Sequence, residues 1–343
     1  MDELIKGVDG ASVTAWFESN VPGARGPLSF DLIAGGHSNL TFLVTDSAGH
    51  RFVLRRPPLG QVLATAHDMT REHTIISALG PTDVPVAPAL GLCTDESVNG
   101  APFYVMDHVD GRVLRDADAA LALTTGARRT ASHSIADTLA RIHAVDVDAV
   151  GLGDLGKKER YIERQLKRWY GQLLQSQTRP LPKLDEVHEA LRVRIPEQVN
   201  ATIVHGDYRL DNCMADDAGN VIAVLDWEIC TLGDPLADVG LLMVYWTEAD
   251  DAHPMLLTAP TTTEGFLSRK EVLDRYAEAS GRDLSQIDFY IAFGYWKLAC
   301  ILEGVYARYV GGVMGPDAAR FEGFARQVDR CADAAVEAVE RLG

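Results

Sequence analysis

The sequence predicts an α+β chain in two parts, a small antiparallel sheet with one helix over residues 1–108 and a larger, mainly helical part over 109–343. Three observations predict it. Leu40 to Thr45 alternates Leu40, Phe42 and Val44 with Thr41, Leu43 and Thr45 directly after a Gly35-Gly36 turn, the signature of a strand leaving a hairpin. The stretch from about Ala64 to Leu79 carries an apolar stripe at helical spacing, and the second part is dominated by long helical patterns at Thr130–Ala144, Asp288–Tyr309 and Ala318–Leu342. At 343 residues and 47% hydrophobic, the chain has enough apolar surface for a large core, and two domains are expected.

Taken in order, Phe30–Ala34 reads as a strand, Gly35-Gly36-His37-Ser38-Asn39 as its turn and Leu40–Thr45 as its partner. A glycine-bearing loop brings backbone N–H groups to a phosphate without side-chain obstruction, and Ser38 and Asn39 add donors; an ordinary hairpin turn would read the same way. Arg51–Arg56 is a third strand, and because side chains alternate along it, only one of Arg55 and Arg56 can face a ligand. On the following helix Ile75, Ile76 and Leu79 stand three, four and seven residues beyond Glu72, so Glu72 shares the buried face. A carboxylate there needs a partner. Arg55 is the natural one, with Arg71 or solvent as the alternative. Pro85, Pro88 and Gly91 then break the chain before a strand at Phe103–Val109.

Between Val204 and Glu228 the chain reads V-H-G-D-Y-R-L-D-N-C-M-A-D-D-A-G-N-V-I-A-V-L-D-W-E. Asp207 and Asn212 lie five apart on a polar, irregular stretch; Asp216–Asn220 is a turn-forming run; and the apolar, β-branched strand Val221–Leu225 delivers Asp226. Hard cations take carboxylate and amide oxygens, and transfer of a phosphoryl group needs a carboxylate to orient the attacking hydroxyl. The expected roles are Mg²⁺ ligation for Asn212 and Asp226 and the catalytic base for Asp207. Two other readings stand beside this one: turn chemistry alone, and a two-metal phosphohydrolase built from His205, Asp207, Asn212 and Asp226, although only one histidine is placed to ligate. His205 itself reads as a structural residue bonding backbone.

H-G-D-Y-R-L-D-N, followed by V-L-D-W-E and G-D-P-L-A-D, resembles the aminoglycoside phosphotransferase and choline kinase group, small-molecule relatives of the protein kinases, from about Ser29 to Trp246. In V-L-R-R-P-P and W-E-I-C-T-L-G-D-P it is similar, more closely, to kinase-like domains fused to acyl-CoA dehydrogenases. The resemblance implies a two-lobed, protein-kinase-like fold with an N-terminal nucleotide-binding lobe (1–108) and a C-terminal catalytic and acceptor-binding lobe (109–343). It implies ATP, or GTP in its place, with Mg²⁺ as cofactors, and a small-molecule hydroxyl as acceptor, such as a hydroxyacyl-CoA or an aminoglycoside-like compound. It places a nucleotide-covering loop at Gly35, Gly36, Ser38 and Asn39, puts Arg55 where protein kinases carry the lysine of V-A-I-K, and makes Glu72 its partner. In M-D-H-V-D-G, Met106 would pack behind adenine while backbone groups of Asp107 and Val109 bond it. Asp238 matches a family Asp that braces the catalytic loop. A catalytically silent nucleotide-binding regulator is the non-enzymatic alternative, and the intact set of Asp207, Asn212 and Asp226 argues against it.

The formal charge of −17 and a pI near 4.9 argue against nucleic acid or an anionic membrane as partner. Met1–Gly10 shows no signal pattern, the longest apolar stretch, Val239–Trp246, is too short to span a bilayer, and five cysteines without a C-x-x-C pair suit a reducing, cytoplasmic setting. Cys213 beside Asn212 is expected to be a small buried thiol. Against the acidic whole, Lys157, Lys158, Arg160, Arg164, Lys167 and Arg168 form a basic run. It reads either as a solvated helix face paired with Glu159 and Glu163 or as a site for an anionic acceptor. Phe289, Phe293, Tyr295, Trp296 and Tyr306 are expected in the core, with the lining of an acceptor pocket as the alternative.

Overall fold

The computed structural model describes residues 7–34, 39–59, 68–254, 259–311 and 318–342. Gly35, Gly36 and Ser38 of the expected nucleotide loop lie outside the described residues, as do positions 64–67 of the expected first helix. The chain divides into one unit of Met1–Gly111 with Ile222–Glu228 and a second of Arg112–Val221 with Ile229–Gly343. The return of 222–228 to the first unit is something a division by sequence order does not express.

In the first unit, α1 (Gly10–Asn20) precedes β1 (Ser29–Ala34), β2 (Leu40–Thr45) and β3 (Arg51–Arg56). Then come α2 (Met69–Leu79), β4 (Ala89–Cys93), the short α3 (Glu96–Asn99) and β5 (Phe103–Asp107). The strands form one antiparallel sheet in the order β1-β2-β3-β5-β4. The register sets Phe42 opposite Leu54 and Leu54 opposite Val105, so alternation stacks apolar side chains in one row. Val13 and Phe17, one helical turn apart on α1, pack with Phe42, Val44, Phe52, Leu54, Phe103 and Val105 as the core of this unit.

Two features correct the expectation of a sheet with one helix. Helix α1 is legible in retrospect from Asp9, whose carboxylate accepts from the Ser12 N–H as an N-cap. Strand β4 forms where Pro88 and Gly91 were expected to break the chain. Pro88 stands just before the strand, where no ladder N–H is lost, and β4 is an edge strand irregular between Ala89 and Gly91. A Cβ on Gly91 would sit 3.0 Å from the Trp16 ring, so the glycine lets that aromatic cover the strand.

The second unit comprises β6 (Arg112–Val113), α4 (Ala117–Leu121), α5 (Thr125–Ala144), α6 (Tyr161–Ser176), α7 (Pro182–Arg192), β7 (Thr202–Val204) and β8 (Cys213–Ala215). The strand β9 (Val221–Val224) leads out of it, and β10 (Thr231–Gly233), α8 (Leu236–Tyr245), α9 (Arg269–Ser280), α10 (Ile287–Val310) and α11 (Ala318–Glu340) complete it. Helix α10 is central: Phe289, Phe293, Tyr295 and Trp296 join Leu166, Leu173, Leu184 and Val328 in one core, while Tyr306 is only half-buried. Gly240 on α8 permits the close approach of α10, since a Cβ there would lie 2.3 Å from the Tyr290 carbonyl oxygen. All five cysteines are buried, and among the described residues no helix is long and apolar enough to cross a membrane.

Candidate active site

Strand alternation decides the fate of the two arginines on β3. Arg56 is buried on one face, where its Nη1 donates to the Gly7 and Asn99 carbonyls at 2.5 and 3.0 Å. Arg55 faces the other way. Its guanidinium lies 3.0 Å from Glu72, 2.5 Å from Asp226 and 3.9 Å from Glu228. Glu72 is 1% exposed and faces Arg55 as the α2 stripe requires; it also accepts from the Tyr104 hydroxyl at 2.9 Å and the Asn39 amide at 3.0 Å. Burial raises the Glu72 pKa, opposed by Arg55 and by the Tyr104 hydrogen bond.

Carboxylate oxygens of Glu72, Asp226 and Glu228 lie within 4.8 Å of one another. Three carboxylates this close offer the hard oxygen donors that a divalent cation takes, and the Arg55 guanidinium lies against all three. Asp226 itself sits in the left-handed region at φ +63, a strained conformation for a non-glycine residue of the kind that collects at functional sites. Its segment is held in the first unit by the Val224 N–H donating to the Pro85 carbonyl at 2.8 Å.

Asn39, expected as a phosphate donor, is turned toward carboxylates. Its amide nitrogen donates to Glu72 and, at 3.2 Å, to Glu228, so both hydrogens are committed to carboxylates and the residue anchors the start of β2. Met106 lies on β5 opposite Val53 and Ala89. The Asp107 N–H is taken by the Pro88 carbonyl at 2.9 Å, which removes that donor from any contact with a base, and Val109 follows the strand's end. Sequence reading missed Tyr104 and Glu228; the D-W-E triplet, with its second carboxylate two residues after Asp226, was the available signal for the latter.

In the second unit, β7 runs into His205, Gly206 and Asp207, and α8 fixes the turn that follows. Asp238, in the first turn of α8, accepts from the backbone N–H groups of His205 at 2.6 Å and Gly206 at 2.8 Å. Burial would raise the pKa of Asp238, but the hydrogen bonds from His143 and Gly206 outweigh it and the net shift is downward. His143, wholly buried, has its pKa lowered by burial; Nε2 is 3.4 Å from Asp238 and Nδ1 2.7 Å from the Tyr276 hydroxyl. A neutral ring donating from Nε2–H and accepting at Nδ1 satisfies both.

The Asp207 carboxylate is flanked by Asn212, whose Nδ2 donates to the Asp207 carboxylate at 2.9 Å and to its backbone carbonyl at 2.8 Å. Arg209 Nε lies 3.3 Å from Asp207 and 3.1 Å from Asp211, its guanidinium stacked on Tyr245. With its nitrogen committed, Asn212 has an amide oxygen of the donor type that Mg²⁺ prefers. His205 is fully buried and its Nδ1 accepts from the Asp207 N–H at 3.3 Å, the structural use read from the sequence. Cys213 is buried and its thiol is pushed up to about 12 by burial, so it offers no thiolate at neutral pH. Of the basic run, Lys158 pairs with Asp148 and Arg160 with Glu163, while Lys167 and Arg168 are exposed on α6, Arg168 lying over the Trp169 ring.

The model of the phosphotransferase enzyme family matches residues 29–290. The chain belongs to that family. Within it, the chain is 37% identical over 308 residues to a probable acyl-CoA dehydrogenase of Arabidopsis thaliana, covering 83% of this chain and 37% of that protein. It is 35% identical over 295 residues to acyl-CoA dehydrogenase family member 10 of Mus musculus, covering 84% of this chain and 27% of the relative. The chain thus spans about a third of the length of these curated relatives. A crystal structure of a putative aminoglycoside phosphotransferase from Ralstonia eutropha superposes with a TM-score of 0.84 at 33% identity, covering 97% of this chain and 98% of that one. This phosphotransferase-family chain therefore has the α+β, kinase-like fold, and the neighbours that share it carry phosphotransferase names.

Proposed function

We propose that the chain transfers the γ-phosphoryl group of ATP, or of GTP in its place, to a hydroxyl of a small molecule. The observation that carries this reading is the held carboxylate of Asp207, oriented by Asn212 on its side chain and by Asp238 through the preceding backbone. Asp207 accepts the proton of the acceptor hydroxyl, a role that needs a fixed, ionised carboxylate. Asn212 and Asp226 are the proposed Mg²⁺ ligands, the first through its amide oxygen and the second through its carboxylate. When bound, the nucleotide and its metal supply the transferable group and neutralise charge developing on the phosphate oxygens. Arg55, held by Glu72, grips phosphate oxygens, and exchanging its contact with Asp226 for a phosphate is the rearrangement this role requires. Residues 1–108 serve as the nucleotide-binding lobe and 109–343 as the catalytic and acceptor-binding lobe.

For the acceptor, two chemistries are proposed, a hydroxyacyl-CoA and an aminoglycoside-like compound. The relatives named as acyl-CoA dehydrogenases favour the first, and Lys167 and Arg168 on α6 are exposed cations suited to an anionic group. The test is mass-spectrometric detection of phosphorylated product from Mg²⁺-ATP and a panel of 4-hydroxyacyl-CoA esters, aminoglycosides, choline, ethanolamine and homoserine. Product that vanishes in Asp207→Asn supports the reading and names the acceptor. Phosphate release without any acceptor would favour the phosphohydrolase, and ATP binding without either product would favour the silent regulator.

A further inference from the structure

The aromatic helix α10 carries one lysine within its most buried stretch, F-G-Y-W-K-L, and the phosphotransfer chemistry above makes no use of it. Lys297 is 7% exposed, and its Nζ donates to the Gly206 carbonyl at 3.1 Å, reaching across 91 positions of sequence. A second cation-to-ring contact, 5.9 Å to Trp169, covers the ammonium from α6. Burying a charged amine on so few partners is costly, and burial does pull its pKa down, against the opposing charges of Asp238 and Asp207. A Leu or Met in this position would suit the surrounding core better, so the lysine calls for an explanation in what its bond holds.

That bond falls on a particular peptide group. The Gly206 carbonyl and the Asp207 N–H belong to one plane. Its oxygen is held by Lys297, and its N–H is held by His205 Nδ1 at 3.3 Å. The peptide before it is held by Asp238 at the Gly206 N–H. Gly206 stands at φ +88, and a Cβ there would lie 3.1 Å from Ile229, so the backbone is bent into a conformation that only glycine adopts without strain. A bent glycine has little local preference to keep it so, and its orientation is fixed by groups that grip its two peptides.

We infer that Lys297 is a positioning residue for Asp207: its ammonium locks the Gly206–Asp207 peptide and thereby sets the direction of the catalytic carboxylate. The inference rests on the assignment of Asp207 as the base, and the experiment separates the two. Lys297→Met and Lys297→Arg are compared with the native chain by amide hydrogen exchange over the segment 203–212 and by turnover of Mg²⁺-ATP with the acceptor found in the panel. Lys297→Met is expected to exchange at the Asp207 amide and its neighbours about tenfold faster while α10 and α8 stay within about twofold. Its kcat falls about 10- to 100-fold with the KM for ATP within about twofold, since a small misplacement of a catalytic group costs rate rather than ground-state binding. Lys297→Arg, which keeps a charged donor, recovers part of both effects. Unchanged exchange over 203–212 in Lys297→Met overturns the inference, as does faster exchange spread equally through α10, which would mark a packing role alone. Should Lys297→Met not fold, Lys297→Gln is expected to show the same separation in smaller measure, and its absence there is equally decisive. If the native chain transfers no phosphoryl group, the reading of Asp207 fails while the exchange result still decides whether Lys297 fixes the loop.

Discussion

At Asp207 and Arg55 the polar geometry is dense enough for single substitutions to be informative. Asp207→Asn keeps the side chain's size but removes the proposed base, so turnover is expected to fall about 10²- to 10⁴-fold with nucleotide affinity within about twofold. Steady-state kinetics beside equilibrium nucleotide binding checks both halves. Arg55→Met would leave Glu72, Asp226 and Glu228 without their shared cation, and an uncompensated buried carboxylate costs about 3–5 kcal/mol. A urea midpoint that barely moves would show that Tyr104 and Asn39 suffice for Glu72 alone. Strand alternation required Arg55 and Arg56 to take opposite faces, since the period of a strand is a local property, but it did not say which one meets Glu72; the structure puts Arg55 there.

Among the elements, α8 is where packing and chemistry meet. It carries Asp238 in its first turn and Gly240 against α10. Gly240→Ala would press a methyl onto the Tyr290 carbonyl, a backbone atom that cannot swing aside; the expected cost is about 1–3 kcal/mol by denaturant unfolding, with a parallel loss of turnover as Asp238 shifts. His143 on α5, which packs against Asp238 of α8, supplies a pH dependence. His143 has its pKa lowered below the ordinary 6.5, so the unfolded chain binds a proton that the folded chain refuses. Its contribution is whole above pH 6.5 and is lost as pH falls below it, with a slope of at most about 1.4 kcal/mol per pH unit. Asp238, also lowered, holds its contribution down to about its ordinary 3.8 and loses it below, so the two windows are distinct. His143→Gln should flatten the stability profile just below pH 6.5 and leave the steeper acid limb in place, which urea titrations at a series of pH values would reveal.

For the molecule as a whole, ligand linkage offers the broadest check. Binding of Mg²⁺-ATP to the folded chain at a hundredfold excess over Kd adds about 2.7 kcal/mol, which for a chain of this length is a rise of a few degrees in Tm. ATP with a chelator should give much less if the Mg²⁺ ligation proposed for Asp226 and Asn212 carries part of the binding. Equal shifts with and without Mg²⁺ would count against both as ligands. The net charge of −17 makes salt a required control, since screening alone stabilises a strongly acidic chain.

By itself the sequence determined the elements with strong local periodicity and the motif with fixed spacing. The alternation of β2, the stripe of α2 with Glu72 inward, and the Asp207-to-Asn212 interval are all set within a few residues, where backbone geometry leaves one answer. It did not yield α1, β4 or the commitments of Asn39, because Pro88, Gly91 and a polar amide mean different things depending on what packs against them. Only the tertiary structure decided that Glu228 joins Glu72 and Asp226 around one arginine, and that Lys297 reaches the Gly206 carbonyl. Those partners are separated by 91 to 173 positions or lie on strands and helices whose neighbours are chosen by long-range packing. No local pattern encodes such a meeting, and it is at these meetings that the charge and direction of the site are set.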